Sequence, residues 1–203
     1  MGYPVTGSPK SLVILVNFSD VKFKSSTATQ DFIDLLNKYN YTNNGGTGSA
    51  RDYFRNASNG VFEPDFVVVG PYDLPENMKY YGEEDKEKNS HDKRPGNLIV
   101  DACAAADKDV DFNEFDVNGD GYVDNIFVYY AGHNQAEGGG TNTIWPHRSY
   151  IVSEFYFDGV RLGDYACTSE LKGSTGNYMC GIGTFVHEFG HVISLPDLYD
   201  TQY

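Results

Sequence analysis

Long apolar runs are missing from this sequence. The longest, LVILV at 12–16, is far shorter than the ~20 residues that cross a bilayer, so no membrane span is expected. Basic residues are also scarce: 15 Lys and Arg stand against 29 Asp and Glu, a net charge of −14. That excess of acid repels phosphate backbones and anionic lipid, which argues against a nucleic-acid partner. It suits calcium binding and solubility outside the cell. The three cysteines are too few for a disulfide scaffold, and without a CxxC pair they make no zinc site. Cys103, in LIVDACAAAD, reads as a small buried hydrophobe. Cys167 and Cys180 are near enough to pair, and that bridge would be worth up to ~3 kcal/mol. No amino-terminal signal is visible, which agrees with either a cytosolic location or a leader removed beforehand.

Aromatic residues, by contrast, make up 15% of the 203 residues, enough to build one packed domain. The segment SLVILVNFSD (11–20) reads as a buried strand. TQDFIDLLNKYN (29–40) puts Phe32, Ile33, Leu35, Leu36 and Tyr39 near one helical face. ARDYFRNAS (50–58) reads as a short helix stopped by Asn59-Gly60, and 61–75 as strand ending at Gly70-Pro71. The charged stretch 82–94 reads as a solvated loop, and 95–109 as a helix with Pro95 near its start. NIFVYYAG (125–132) is a second buried strand. Residues 150–167 read as a hairpin turning near Asp158-Gly159, and the last helix spans about 180–193. Strands and helices interleave without a linker or repeat, so the class is α/β or α+β in one domain over 1–203.

The last helix carries TFVHEFGHVISLPDLYD (184–200). Residues i and i+4 share a helix face, so His187 and His191 can grip one ion, with Glu188 beside them to polarise a metal-bound water. At ordinary amino-acid usage this pattern arises by chance in about one chain in a hundred of this length. A catalytic zinc takes three protein ligands. Pro196 ends the helix and pushes Leu195 extended, so the chain leaves near Ser194. Asp197 then falls ten residues after His187, where metzincins place a third ligand, with Asp200 as the rival carboxylate.

A second oxygen-rich pattern, FDVNGDGYVD (115–124), has calcium-loop spacing. Asp116, Asn118 and Asp120 stand at positions 1, 3 and 5, Gly121 at the sharp turn, the Tyr122 carbonyl at 7 and Asp124 at 9. Position 12 is Phe127 rather than glutamate, so this is no EF-hand; the bland alternative is a turn whose carboxylates cap N–H groups. Of the other histidines, His91 reads as solvated and His133 as a surface residue. His147 either lines a cleft or bonds to backbone, the second being favoured. Tyr199 is a candidate to assist an oxyanion.

The segment HEFGHVISLPDLYD resembles the HExGHxxGLPDxYD motif of the immune inhibitor A family of secreted bacterial metallopeptidases, a metzincin-like group. LVILVNFSD, YFRNASNGVFEPDFVVVGPYDLP, FDVNGDGYVDNIFVYYAGHNQAEGG and IWPHR resemble the same family in the same order, so the likeness covers nearly the whole chain. It implies zinc on His187, His191 and Asp197 and a general base at Glu188. It also implies a zincin-like upper subdomain, a mixed twisted sheet with backing helices, whose lower subdomain is missing. Met1, Met78 and Met179 all precede the motif, so none supplies the metzincin methionine turn. Ser194 stands where the family has glycine, and a left-handed turn there costs a non-glycine residue about 1–2 kcal/mol. The expectation is a secreted or cell-surface zinc endopeptidase domain, monomeric, acting on protein or peptide substrates. The alternative is a non-catalytic, calcium-stabilised surface or adhesion module with a degenerate zinc site.

Overall fold

The computed structural model describes residues 2–87 and 91–197. The apolar run near the start becomes β1 (Lys10–Asn17), and it sits inside the sheet rather than at its edge. β1 pairs in parallel with β2 (Asp65–Asp73) on one side and β3 (Ile126–Tyr130) on the other. β7 (Asp164–Ser169) continues the sheet in parallel beyond β3. β4 (His147–Tyr150) closes it antiparallel, giving the order β2-β1-β3-β7-β4. The sheet is therefore mixed, and the class is α/β as the interleaved sequence implied.

Successive strand residues face opposite sides, so β1 serves two cores. Leu12, Ile14 and Val16 face α4 (Pro95–Ala106), which contributes Leu98, Ile99 and Ala102. Val13 and Leu15 face the other way, onto α1 (Ala28–Asn37), α2 (Ala50–Ala57) and α5 (Gly183–Val192). Burial on both faces explains the unbroken apolar runs of β1 and β3. α2 starts on a reciprocal cap: Ser49 Oγ accepts from Asp52 N, and Asp52 Oδ2 accepts from Ser49 N.

Several elements depart from the sequence reading. α1 ends at Asn37, so Tyr39 lies past it and is 49% exposed. A short helix, α3 (Met78–Gly82), forms on the Asn77 cap. The expected hairpin over 150–167 is three strands. β5 (Tyr156–Phe157) and β6 (Val160–Arg161) do turn at Asp158-Gly159, both at positive φ, but β7 belongs to the main sheet. The stretch 82–94 is not uniformly solvated. Asp92 is buried, its carboxylate accepts from Trp145 N, and His91 stacks on Trp145 at 4.1 Å.

The three cysteines are free and buried, so the Cys167–Cys180 pairing that their spacing left open is not made. Cys167 faces the α4 core, whereas Cys180 packs in the core under α5. The sheet lies between them.

Candidate active site

α5 is built around two phenylalanines. Phe185 and Phe189 are both fully buried and nearly parallel, with centroids 5.7 Å apart. Phe185 packs on Phe127 at 4.4 Å and on Phe66 at 5.0 Å, and Phe189 meets Phe54, Phe66 and Tyr3. With this stripe turned to the sheet, the 100° advance per residue sends His187 and His191 outward. Their rings lie 4.8 Å apart.

The third group arrives by a turn. Ile193, Ser194 and Leu195 N–H groups donate back to the Phe189, His191 and Gly190 carbonyls, and Ser194 sits at φ +69°. This is the left-handed turn that the sequence requires, made without glycine. Asp197 Oδ1 then lies 3.3 Å from His191 Nε2 and 3.6 Å from His187 Nε2. Ligand atoms of all three converge within 4.8 Å, the one such group of three or more His, Cys, Asp or Glu among the described residues. His191 Nδ1 is 2.9 Å from the Leu195 carbonyl, to which it donates, leaving the Nε2 lone pair turned to Asp197. The donor set, two imidazole nitrogens and one carboxylate oxygen, fits zinc with a position left for water. Asp200 and Tyr199 lie outside the described residues.

The Ser194 turn makes a prediction. Ser194→Gly removes the Cβ strain of that turn and should stabilise the fold by about 1 kcal/mol. A denaturant midpoint that does not rise would show that the turn is unstrained.

Glu188, next to His187 on α5, is buried. Burial raises its carboxyl above the usual range, and His191, then His147 and the Arg148 backbone N–H, partly offset this. Arg148 lies in β4, the strand that packs against α5 at the end of the sheet. His147 is held in place: Nδ1 donates to the Trp145 carbonyl at 2.7 Å and Nε2 accepts from Tyr165 Oη at 3.0 Å. That is the bonded role favoured for it. Asp92 backs it at 3.9 Å, with its carboxyl pushed up to about 6 by burial. His133 is half-buried rather than free at the surface, with ring nitrogens on the Gly173 and Gly176 carbonyls. The sequence reading missed Asp92 and the Arg148 N–H. The first lay in a stretch that reads as solvent, and the second is a backbone group with no side-chain signature.

In the 116–124 loop, Asp116 Oδ1 accepts from Asp120 N and its Oδ2 from Gly121 N. Asp124 accepts from Val117 N and from the Asn118 amide, and Asp120 accepts from Tyr122 N. The three carboxylates do not meet as closely as the residues of the 187–197 cluster. Burial raises the Asp124 carboxyl, and Asn118 Oδ1 is buried without a hydrogen-bond partner.

Two histidines of α5 and a carboxylate from the turn after it thus form a cluster that could hold a metal ion. The profile of the immune inhibitor A peptidase M6 catalytic domain matches residues 5–203, and the chain belongs to that family. It is 24% identical over 235 residues to the pre-pro-metalloprotease PrtV of Vibrio cholerae serotype O1, covering 96% of this chain and 25% of that protein. To immune inhibitor A of Bacillus thuringiensis subsp. alesti it is 26% identical over 237 residues, 96% of this chain and 34% of that protein. The chain thus spans a quarter to a third of the length of these relatives.

Proposed function

We propose that this chain belongs to a zinc-dependent endopeptidase that hydrolyses peptide bonds of protein substrates. The observation that carries this reading is the convergence of His187, His191 and Asp197 beside the buried Glu188. Zinc bound there would supply an acidified water and polarise the scissile carbonyl. Glu188, its carboxyl raised by burial, takes the proton from the attacking water and returns it to the leaving amine. Among the described residues β4 is the last strand of the sheet and packs on α5, so an extended substrate can add there as a further strand. Intact ligands favour this reading over a non-catalytic surface module.

We also assign calcium to Asp116, Asn118, Asp120, Tyr122 and Asp124, in a structural role. The orphaned Asn118 Oδ1 and the raised Asp124 support it, because a cation would satisfy the first and neutralise the second. The acidic charge and the resemblance to secreted peptidases support a place outside the cell. Among the described residues no helix is long and apolar enough to cross a membrane.

Metal analysis of the purified chain tests both sites. One zinc is expected, lost in His187→Ala, and one calcium, lost in Asp116→Ala. A chain that binds no zinc at neutral pH would overturn the peptidase reading.

A further inference from the structure

His133 differs from His147 in what its ring faces. His147 has one carbonyl and one hydroxyl, those of Trp145 and Tyr165, and a hydroxyl can donate or accept. His133 has two carbonyls: Nδ1 lies 2.8 Å from the Gly173 oxygen and Nε2 3.1 Å from that of Gly176. A carbonyl oxygen only accepts. A neutral imidazole carries one N–H and one bare lone pair, so it satisfies one of these carbonyls and repels the other. The imidazolium donates to both.

The backbone on both sides holds that arrangement. Gly132, just before His133, is tied twice to the segment after β7: its N–H donates to Glu170 Oε2 at 3.1 Å, and its carbonyl accepts from Leu171 N at 2.9 Å. From there the chain runs out as a turn over 172–178, closed at its base by Lys172 N on the Tyr178 carbonyl at 3.0 Å. Gly173 and Gly176 sit at φ +68° and +83°, which glycine adopts freely. Gly173 N donates to Glu137 Oε2 at 2.9 Å. The charged groups placed around the imidazole are Glu137 on its own segment, Glu170 after β7, Lys172 drawn over the Tyr178 ring, and Lys24 after β1, whose N–H meets Glu170. Burial raises the Glu170 carboxyl, and the charge of His133 is among the influences that lower it.

The same turn lines a cavity of about 530 Å³, to which it contributes Asn177 and Tyr178, with Phe32 of α1 and Tyr41 in the lining as well. We propose that His133 is a proton-operated latch on this cavity wall. As imidazolium it bonds both carbonyls and holds the 173–176 turn closed; on losing the proton it releases one of them, and the turn opens. The closed turn is therefore favoured where the histidine is charged and weakens as the pH rises. His133 is not one of the converging residues of the 187–197 cluster, so the latch stands whether or not that cluster holds zinc.

Amide hydrogen exchange of the full chain, followed from about pH 5.5 to about pH 8, tests the latch. Lys172 and Gly173 are the reporters, because their N–H bonds last only while the turn is closed. After correction for the intrinsic rate, their protection is expected to fall about tenfold across that interval, the worth of one charge-assisted bond. In His133→Gln, which keeps Glu137 and Glu170 and carries no charge at any pH, the fall should vanish. The nitrogen-15 signals of the His133 ring read the same event in the native chain: both nitrogens carry protons at the acid end, and the signals should change over the same interval as the protection. Protection that is flat with pH overturns the latch. Protection that still falls in the glutamine variant also overturns it and assigns the dependence to Glu170 or Glu137. A ring with one N–H at the acid end overturns it as well, and that result stands even if the variant does not fold.

Discussion

Replacing Glu188 with glutamine is expected to slow peptide hydrolysis by about 10²–10⁴-fold while the zinc content stays that of the native chain. Glutamine keeps the shape of the side chain and an oxygen for the Arg148 N–H, but it has no basic site to take a proton. The carboxylate is not one of the three converging ligands, so metal affinity should not fall. Stability should hold or rise slightly, because a buried carboxyl with its pKa pushed up is disfavoured in its charged form. Initial rates on a fluorogenic peptide, read beside metal content and a thermal melt, make the comparison. A variant that retains zinc and native rate would remove Glu188 from proton transfer and leave the glutamate as packing.

The second large effect lies behind the site. Phe185→Ala should destabilise the chain by about 3–5 kcal/mol, the usual range for emptying a phenylalanine position in a closed core. The ring is fully buried and meets Phe66, Phe127, Tyr129 and Phe189, so little can collapse into its place. Its loss should also weaken zinc binding. Phe185 fixes the rotation of α5 about its axis, and that rotation sets where His187 and His191 point. A urea titration gives the first quantity and competition with a chelator the second. A loss below about 1 kcal/mol would place the anchoring of the helix elsewhere, with Phe189 as the next candidate.

The convergence of His187, His191 and Asp197 was legible because these residues are local. His187 and His191 share a face by helical period, and Pro196 forces the chain out of the helix in time for Asp197 to return. The strained residue was legible as well: Ser194 adopts the left-handed turn that its place between ligand and proline demands. Only the cost of that turn, not its geometry, distinguishes it from glycine. β1 and β3 were readable from unbroken apolar runs, since strands buried on both faces carry no alternation.

Other features were hidden for physical reasons that differ from case to case. β4 is four residues long and only His147 is even half-buried, so no period marks it. Its place at the edge comes from pairing with β7, which sequence reasoning had taken for the return arm of a local hairpin. Asp92 stands among charged neighbours that do face water, and its burial depends on Trp145 and His147 arriving from fifty residues away. The cysteine pairing stayed open because nearness in sequence says nothing about which side of a sheet each side chain takes.

The sequence by itself determined that His187, His191 and Asp197 come together, the helix that carries the two histidines, the turn at Ser194 and the two central strands, all set by spacing within about a dozen residues. Only the tertiary structure decided that β4 packs against α5, that Cys167 and Cys180 are separated by the sheet, and that two loop carbonyls meet the His133 ring. Those outcomes depend on strand order and on which face each residue takes, and both are fixed by long-range packing rather than by local period.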